Sequence, residues 1–192
     1  MNKTQNNAPK DNAVSGSKAA KATIKSLIAD LASKDGVVRV MARQQLVAYK
    51  KRSVAPLIRT LSDENDWVRW EAAKALSQIG NPESIQALLE ALTDKKFEVR
   101  WLAAEGLIRI GRKAIAPLLE ALVKHSDSYW LRKGIHHVLH DINRGKIRKV
   151  LRPILVALES QEPSLEVPLA AQAALDALTK KSSPHQPLTI WK

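Results

Sequence analysis

The sequence predicts an all-α protein, a right-handed α-solenoid of five helical hairpins with no β-sheet. Three observations predict this fold. The stretch around Val68-Arg69-Trp70 matches the stretch around Val99-Arg100-Trp101 in residue type and spacing, at an offset of 31 residues. Apolar residues recur with the helical period, and nothing alternates with a period of two. Self-similarity of this length is typical of a stacked array, in which each unit buries its apolar side against its neighbours.

The helices are placed by apolar residues that hold the same position in every unit. The second helix of each hairpin is predicted to begin at Val38, Val68, Val99, Leu131 and Val167. The solenoid is expected to span residues 20–180, with units at about 20–50, 53–80, 82–111, 113–143 and 146–179. The polar stretches 1–19 and 181–192 lack this periodicity, so we expect flexible tails there.

Glycines mark the ends of two predicted helices. Gly80 follows the last periodic residue of one helix, Ile79, and Gly111 follows Ile110 in the same way. A residue with left-handed backbone commonly ends a helix, and glycine adopts that conformation most readily. Both positions are therefore predicted to be helix ends.

Composition narrows the class of protein. The net charge is +12, and two basic blocks, 22–60 and 124–152, flank an acidic middle. Two separate blocks are a weaker nucleic-acid signature than one continuous stripe. The absence of cysteine excludes disulfides and thiolate metal sites. No apolar stretch approaches a membrane span or a signal peptide, so we expect a cytoplasmic protein without membrane contact.

The repeated pattern is that of a known family. Leu88 to Asp94, a short turn, and then Val99 to Gly111 resemble HEAT repeats, in particular the short phycobilisome-lyase-like (PBS lyase HEAT-like) type. The resemblance covers about residues 22–180. Ankyrin and tetratricopeptide repeats need other sequence patterns, which this chain lacks.

The resemblance implies a structural ladder and a concave binding face. In this family an Asp and an Arg pair across the turn of each hairpin. The matching residues are Asp63 with Arg69, Asp94 with Arg100, and Arg132, whose Asp position holds Ser126. The second helices line the inner face in such arrays. The residues expected there are Trp67, Trp70, Glu71, Lys74, Trp101, Glu105, Arg109, Trp130, Lys133 and His137.

Trp70 and Trp101 are the most informative groove residues. They hold the same position on adjacent helices, whose axes should lie about 8–10 Å apart, so their rings should stack or flank a guest. Trp is enriched at binding hot spots. The alternative is that the rings only cover helix ends, packing on Arg69 and Arg100 by cation–π contact. Glu71 and Glu105 share a face with an indole and would serve as acid or base only with a raised pKa; surface carboxylates are the commoner case.

Metal and cofactor sites are not predicted. His136 and His140 are spaced i, i+4, and His137 has that relation to Asp141, which is compatible with a metal but equally with a polar helix face. The HEAT-like iron hydroxylases carry His-Glu pairs, and this chain has no His-Glu dipeptide. No glycine-rich phosphate loop or nucleophile-base arrangement is visible, so catalytic residues are not assigned.

The sequence favours a non-enzymatic protein-protein interaction scaffold, a monomer or weak oligomer, that binds an acidic partner segment. A basic patch beside the groove is predicted to select that partner: Arg132, Lys133, Arg144, Lys146, Arg148, Lys149 and Arg152. Two alternatives stay open. One is a nucleic-acid binder, including one that is similar to the HEAT-like DNA glycosylases. The other, implied only by the repeat subtype, is a bilin lyase or a helper subunit of one.

Overall fold

The computed structural model describes residues 23–180, and this range is an all-α solenoid without a strand. Three short 3-10 segments precede α5, α7 and α9. The ten α-helices are α1 (Ile24–Asp30), α2 (Gly36–Ala48), α3 (Lys51–Thr60), α4 (Asp66–Ile79), α5 (Ile85–Ala91), α6 (Phe97–Ile110), α7 (Ile115–Lys124), α8 (Tyr129–Ile142), α9 (Arg148–Leu158) and α10 (Pro163–Lys180). The tails predicted at 1–19 and 181–192 fall outside the described residues.

Consecutive helices pair into five hairpins, and side-chain caps determine where the second helices begin. The Asp35 carboxylate accepts a hydrogen bond from the Val37 main-chain N–H at 2.8 Å, and Asn65 accepts one from Trp67 at 2.9 Å. These bonds satisfy N–H groups that have no partner within the helix. The helices α2 and α4 therefore begin two residues earlier than the apolar pattern predicted.

The hairpins stack into two layers. In one layer, α2, α4, α6 and α8 lie side by side, each packed on the next, and α1, α3, α5 and α7 form the other layer. Between them runs one continuous hydrophobic core. Its fully buried members come from every hairpin, for example Leu46, Leu76, Leu107 and Ile135. The connections between successive hairpins are short, so neighbouring hairpins pack directly on each other through their apolar side chains.

The fifth hairpin departs from this pattern. Its second helix, α10, packs against α9 and against α7 of the preceding hairpin, instead of continuing the layer of α8. Val167, Ala171 and Ala174 are its buried residues. The expectation that the second helix of this hairpin extends the inner layer is therefore wrong for α10. The inner face consists of α2, α4, α6 and α8.

Two glycines end helices with positive φ, as the sequence predicted. Gly80 has φ 62° and ψ 35°, the left-handed conformation, and its N–H donates to the Leu76 carbonyl. Gly111 has φ 70° but ψ −134°, and the 3-10 segment Gly111–Ala114 starts there. Both turns send the chain directly into the next hairpin. No helix among residues 23–180 combines the length and apolarity needed to cross a membrane.

Candidate functional site

A groove opens on the inner face between α4 and α6. Its volume is about 650 Å³. Both Trp70 and Trp101 line it, and Lys74, Glu105 and Arg109 are among the charged side chains of the same two helices in its wall. We call this cavity the α4–α6 groove. The sequence placed all five of these residues on the inner face, and the structure brings them together in one cavity.

Trp101 is an exposed part of the groove wall, at 46%. Its ring stacks on His137 of α8, with centroids 4.8 Å apart and an interplanar angle of 27°. Phe97 lies on the other side, with its centroid 6.2 Å away. The Nε2 atom of His137 is 3.5 Å from Glu105 Oε1. His137 thus supports the indole from the next hairpin, and Trp101 is held in place while 46% of it stays exposed.

Trp70 is half-buried and is held from the opposite side. The guanidinium of Arg43 on α2 lies 5.6 Å from its ring centroid, and Trp67 meets it edge-on at 6.5 Å and 73°. An arginine near an aromatic ring is attracted by the ring quadrupole. Each of the two groove indoles is therefore fixed by a neighbouring hairpin, α2 for Trp70 and α8 for Trp101.

Glu71 was expected in the groove, and this expectation is wrong. The residue is 2% exposed, and its carboxylate forms an ion pair with Arg43 and lies 3.5 Å from Arg39 Nε. Position 71 faces α2 instead of the inner face, because the neighbouring position, Trp70, takes the outward direction. The available signal was the i, i+4 pair of arginines on the preceding helix, which is the arrangement that receives a carboxylate.

Trp67 and Trp130 lie at the starts of their helices and do not line the α4–α6 groove. The Arg39 guanidinium is 5.7 Å from the Trp67 ring, and the Arg100 guanidinium is 3.9 Å from that of Trp130. In both cases the arginine comes from the preceding hairpin. Cation–π contact with an arginine, considered above for Trp70 and Trp101, thus also occurs at these two tryptophans. Lys133 lines a separate cavity with Tyr129, His136 and Glu159.

The arginine ladder joins successive hairpins. Arg69 donates from Nε and Nη2 to the two carboxylate oxygens of Asp94, at 2.7 and 3.1 Å, across one repeat. Its Nη1 donates to the main-chain carbonyl of Asp63 at 2.8 Å. The predicted carboxylate pairs Asp63 with Arg69 and Asp94 with Arg100 are therefore wrong.

The reason is local geometry at the hairpin turn. An arginine six residues after the Asp reaches the main-chain carbonyl, and Arg100 bonds the Asp94 carbonyl at 2.7 Å in the same way. Each Asp side chain instead accepts from the N–H two residues later, as Asp94 does from Lys96 at 2.8 Å. Arg132 follows the rule with the Ser126 carbonyl. The bidentate Arg69–Asp94 pair raises the pKa of Arg69 and fixes the register of the second and third hairpins.

The basic patch is divided between two edges of the solenoid. Arg132 and Lys133 lie in the first turn of α8, near the turn inside the fourth hairpin. Arg144 and Lys146 follow the other end of this 14-residue helix, about 20 Å away. Arg148, Lys149 and Arg152 belong to the start of α9. The seven residues therefore do not form one patch.

The histidine pairs do not form a metal centre. The rings of His136 and His140 are 6.2 Å apart, and His136 Nε2 contacts Glu159 Oε1 at 2.8 Å. Within residues 23–180 no three His, Cys, Asp or Glu side chains are grouped as metal ligands. His136 therefore ties α8 to the end of α9.

Comparisons with known proteins agree with the repeat pattern. Residues 24–107 match the family described as HEAT repeats, and residues 99–124 match the one described as PBS lyase HEAT-like repeat. Residues 24–107 thus carry HEAT repeats, and residues 99–124 carry a repeat of the PBS lyase HEAT-like type. The comparison with curated proteins gave no match.

Two solved structures are similar to this chain. One is the complex of CpcE and CpcF of phycocyanin lyase from Nostoc sp. PCC7120, with 24% identity over 90% of this chain and 71% of that chain and a TM-score of 0.48. The other is an engineered protein with 19% identity over 83% of this chain and 85% of that chain and a TM-score of 0.44.

Proposed function

We propose that this protein is an interaction scaffold whose α4–α6 groove grips an extended segment of a partner protein. The HEAT repeats support a scaffolding role. The observation that carries the proposal is that Trp70 and Trp101, from adjacent hairpins, line one cavity and are each held by a further hairpin. A guest is bound with less loss of entropy when the side chains that receive it are already fixed.

The chemistry of the wall supports a peptide with one apolar side chain. Two indoles provide flat apolar surface with a polar edge, and such rings are enriched at binding hot spots. Lys74 and Arg109 are positive, whereas Glu98 and Glu105 are negative. The groove can therefore pair with hydrogen-bond acceptors and with hydrogen-bond donors of the bound peptide. The net charge of +12 favours an acidic segment and would accelerate its association.

The test compares tryptophans of different location. A peptide is first selected from a displayed random-peptide library on the wild-type protein, and its Kd is then measured by fluorescence anisotropy. Trp70→Ala and Trp101→Ala should each weaken binding at least about tenfold, the range of a hot-spot residue. Trp130→Ala, at a ring outside the cavity, is the matched control and should change Kd less than about threefold. Equal losses in all three variants, or none, would exclude the groove as the binding site.

A second candidate function rests on the repeat subtype. The PBS lyase HEAT-like match covers Trp101, Glu105 and Arg109, which line the groove. A planar tetrapyrrole could stack on Trp101 while its carboxylates meet Arg109 and Lys74, as in a bilin lyase or a helper subunit of one. Mixing with free bilin should then shift its visible absorption band, and the shift should be lost in Trp101→Ala. An unchanged spectrum with the wild-type protein would remove this candidate.

A further inference from the structure

The connections between successive hairpins lie in one row along an edge of the solenoid. We call this row, extended by the first two residues of α3 and of α9, the connection edge: residues 49–52, 80–84, 111–114 and 143–149. Three contacts establish the row. Lys51 Nζ in the first connection bonds Glu83 of the second at 2.8 Å. The aliphatic part of Arg109, just before the third connection, packs on Gly80, and the Arg112 guanidinium lies beside Gly145 of the fourth.

The two edges of the molecule differ strongly in charge. The connection edge carries nine Lys or Arg residues and a single acidic residue, Glu83. The turns inside the hairpins, at 31–35, 61–65, 92–96, 125–128 and 159–162, carry three Lys and seven Asp or Glu residues. Residues of the two basic blocks, 22–60 and 124–152, thus lie on one edge of the fold, at its first and fourth connections, with Arg112 and Lys113 at the third. The second connection carries no Lys or Arg, and its Glu83 is paired with Lys51.

The basic side chains of the connection edge are exposed, and most of them form no ion pair with an Asp or Glu. All nine are exposed to solvent. Lys51 is bonded to Glu83, and Arg144 lies 4.0 Å from Asp141. Among the described residues the other seven form no ion pair, and they include Arg112, Lys113 and Lys146. These charges are available to a ligand.

We propose that the connection edge binds the phosphodiester backbone of a nucleic acid. A protein partner would be expected to need apolar anchors, yet none of the large exposed apolar side chains lies in these four connections. A phosphate backbone needs only regularly placed cations, and each neutralised phosphate releases counterions. Four connections at the spacing of neighbouring helices extend over about 24–30 Å. This surface is separate from the α4–α6 groove and its function does not depend on the groove.

The test uses a labelled 20-nucleotide single strand and a 20-base-pair duplex, each titrated by fluorescence anisotropy from 50 to 200 mM salt. The variant Arg112→Glu with Lys146→Glu reverses two charges on the connection edge. It should weaken binding at least about tenfold at 100 mM salt and reduce the steepness of the slope of log K against log salt by about 1.4–1.8, since each of the two lost phosphate contacts removes about 0.7–0.9. The probe that binds more tightly shows whether the connection edge prefers single-stranded or duplex nucleic acid.

The matched control carries the same change of net charge elsewhere. Lys34→Glu with Lys124→Glu alters two exposed lysines without an ion pair on the side of the intra-hairpin turns, and it should weaken binding less than about twofold. Circular dichroism verifies that both double variants are folded. If the variant with Arg112→Glu and Lys146→Glu is unfolded, Arg112→Gln with Lys146→Gln replaces it and should still weaken binding about threefold.

Three results would overturn the proposal: no binding at 50 mM salt, equal losses in variant and control, or tighter binding of a Glu-rich 20-residue peptide, which would mark a protein-docking edge. Trp70→Ala with Trp101→Ala should leave nucleic-acid binding unchanged. The experiments therefore distinguish a failure of the proposed peptide binding in the α4–α6 groove from a failure of the proposed nucleic-acid binding at the connection edge.

Discussion

At the scale of single residues, the second helix layer is held by a buried carboxylate. The Glu71 side chain is 3% exposed and joins α4 to two arginines of α2, whose side chains are 12% and 21% exposed. A buried ion pair is weak evidence for net stability, since its desolvation offsets much of the attraction. Loss of one partner is costly, however, because the remaining charges stay poorly solvated.

Glu71→Ala should therefore lower the free energy of unfolding by about 3 kcal/mol or more, since Arg39 and Arg43 lose their shared partner. Urea denaturation followed by circular dichroism measures the change. Glu64→Ala provides the control, because this carboxylate is exposed and only the main-chain carbonyl of Glu64 accepts a bond from Arg69. The control should change stability by less than about 0.5 kcal/mol. Similar effects of the two substitutions would contradict the role assigned to Glu71.

A second residue makes stability depend on pH. Asp66 lies 2.9 Å from Lys96 Nζ, 2.7 Å from Arg69 Nη2 and 3.1 Å from Lys95 Nζ. The hydrogen bond from Lys96, followed by those from Arg69 and Lys95, lowers the pKa of Asp66 well below its usual range. A carboxyl group whose pKa is lower in the folded state stabilises the fold above its unfolded pKa, about 3.9, and this stabilisation is lost as the pH falls further.

Asp66→Asn should therefore have a lower Tm than the wild type at pH 7, and the difference should shrink as the pH falls from 4 to 2. Thermal melts at pH 7, 4 and 2.5 give the comparison. Asn keeps the size of the side chain and removes only its charge. If the Tm difference were the same at every pH, the carboxylate charge would not be what stabilises this turn.

At the scale of helices, glycine determines how closely α8 approaches the neighbouring hairpin. A Cβ atom at Gly134 would lie 2.8 Å from Leu92 Cδ2 and 3.2 Å from Cδ1 and Cγ. Leu92 is fully buried and cannot move aside. The close approach places α8 near enough to α6 for His137 to stack on Trp101. The geometry of the α4–α6 groove thus depends in part on a residue that does not line it.

Gly134→Ala should lower the free energy of unfolding by about 1 kcal/mol. Alanine gains about 1 kcal/mol of helix propensity, but overpacking costs about 1–3 kcal/mol. Gly36→Ala, at the start of α2, is the matched control, because a Cβ there meets Arg39 Nη2 at an ordinary 3.5 Å. Chemical denaturation should show no loss in the control. A stabilised Gly134→Ala variant would mean that Leu92 repacks freely.

Most of the helices could be predicted from the sequence, because apolar residues at the helical period report burial directly. The placement of Trp70 and Trp101 on one face followed from the same periodicity. The direction of Glu71 did not follow from this periodicity alone, because a period of 3.6 does not decide which of two adjacent positions faces a neighbouring helix. The pairing of Asp94 with Arg69 depends on how one hairpin is positioned against the next, and the sequence of a single repeat carries no information on that position.

At the scale of the whole molecule, the array closes differently at its two ends. At the N-terminal end of the described range, α2 exposes Val37, Val40 and Met41. At the other end, α10 lies across α7 and α9 and covers them. This reversal did not follow from the apolar pattern, since Val167 and Ala171 satisfy the helical period whichever neighbour they contact. In an array where each hairpin contacts only its neighbours, a local disturbance should stay local.

A buried charge in α10 tests this locality. Val167→Asp places a carboxylate at a fully buried position, which costs several kcal/mol unless the helix detaches. Amide hydrogen exchange should then show loss of protection in α7, α9 and α10, while α2 and α4 keep theirs, because α10 packs on α7 and α9. Leu169→Asp, two residues further on the same helix at a side chain that is 76% exposed, should leave every helix protected. If α2 and α4 lost protection together with α7, the five hairpins would unfold as one cooperative unit, and their stability could not be a sum of neighbouring contacts.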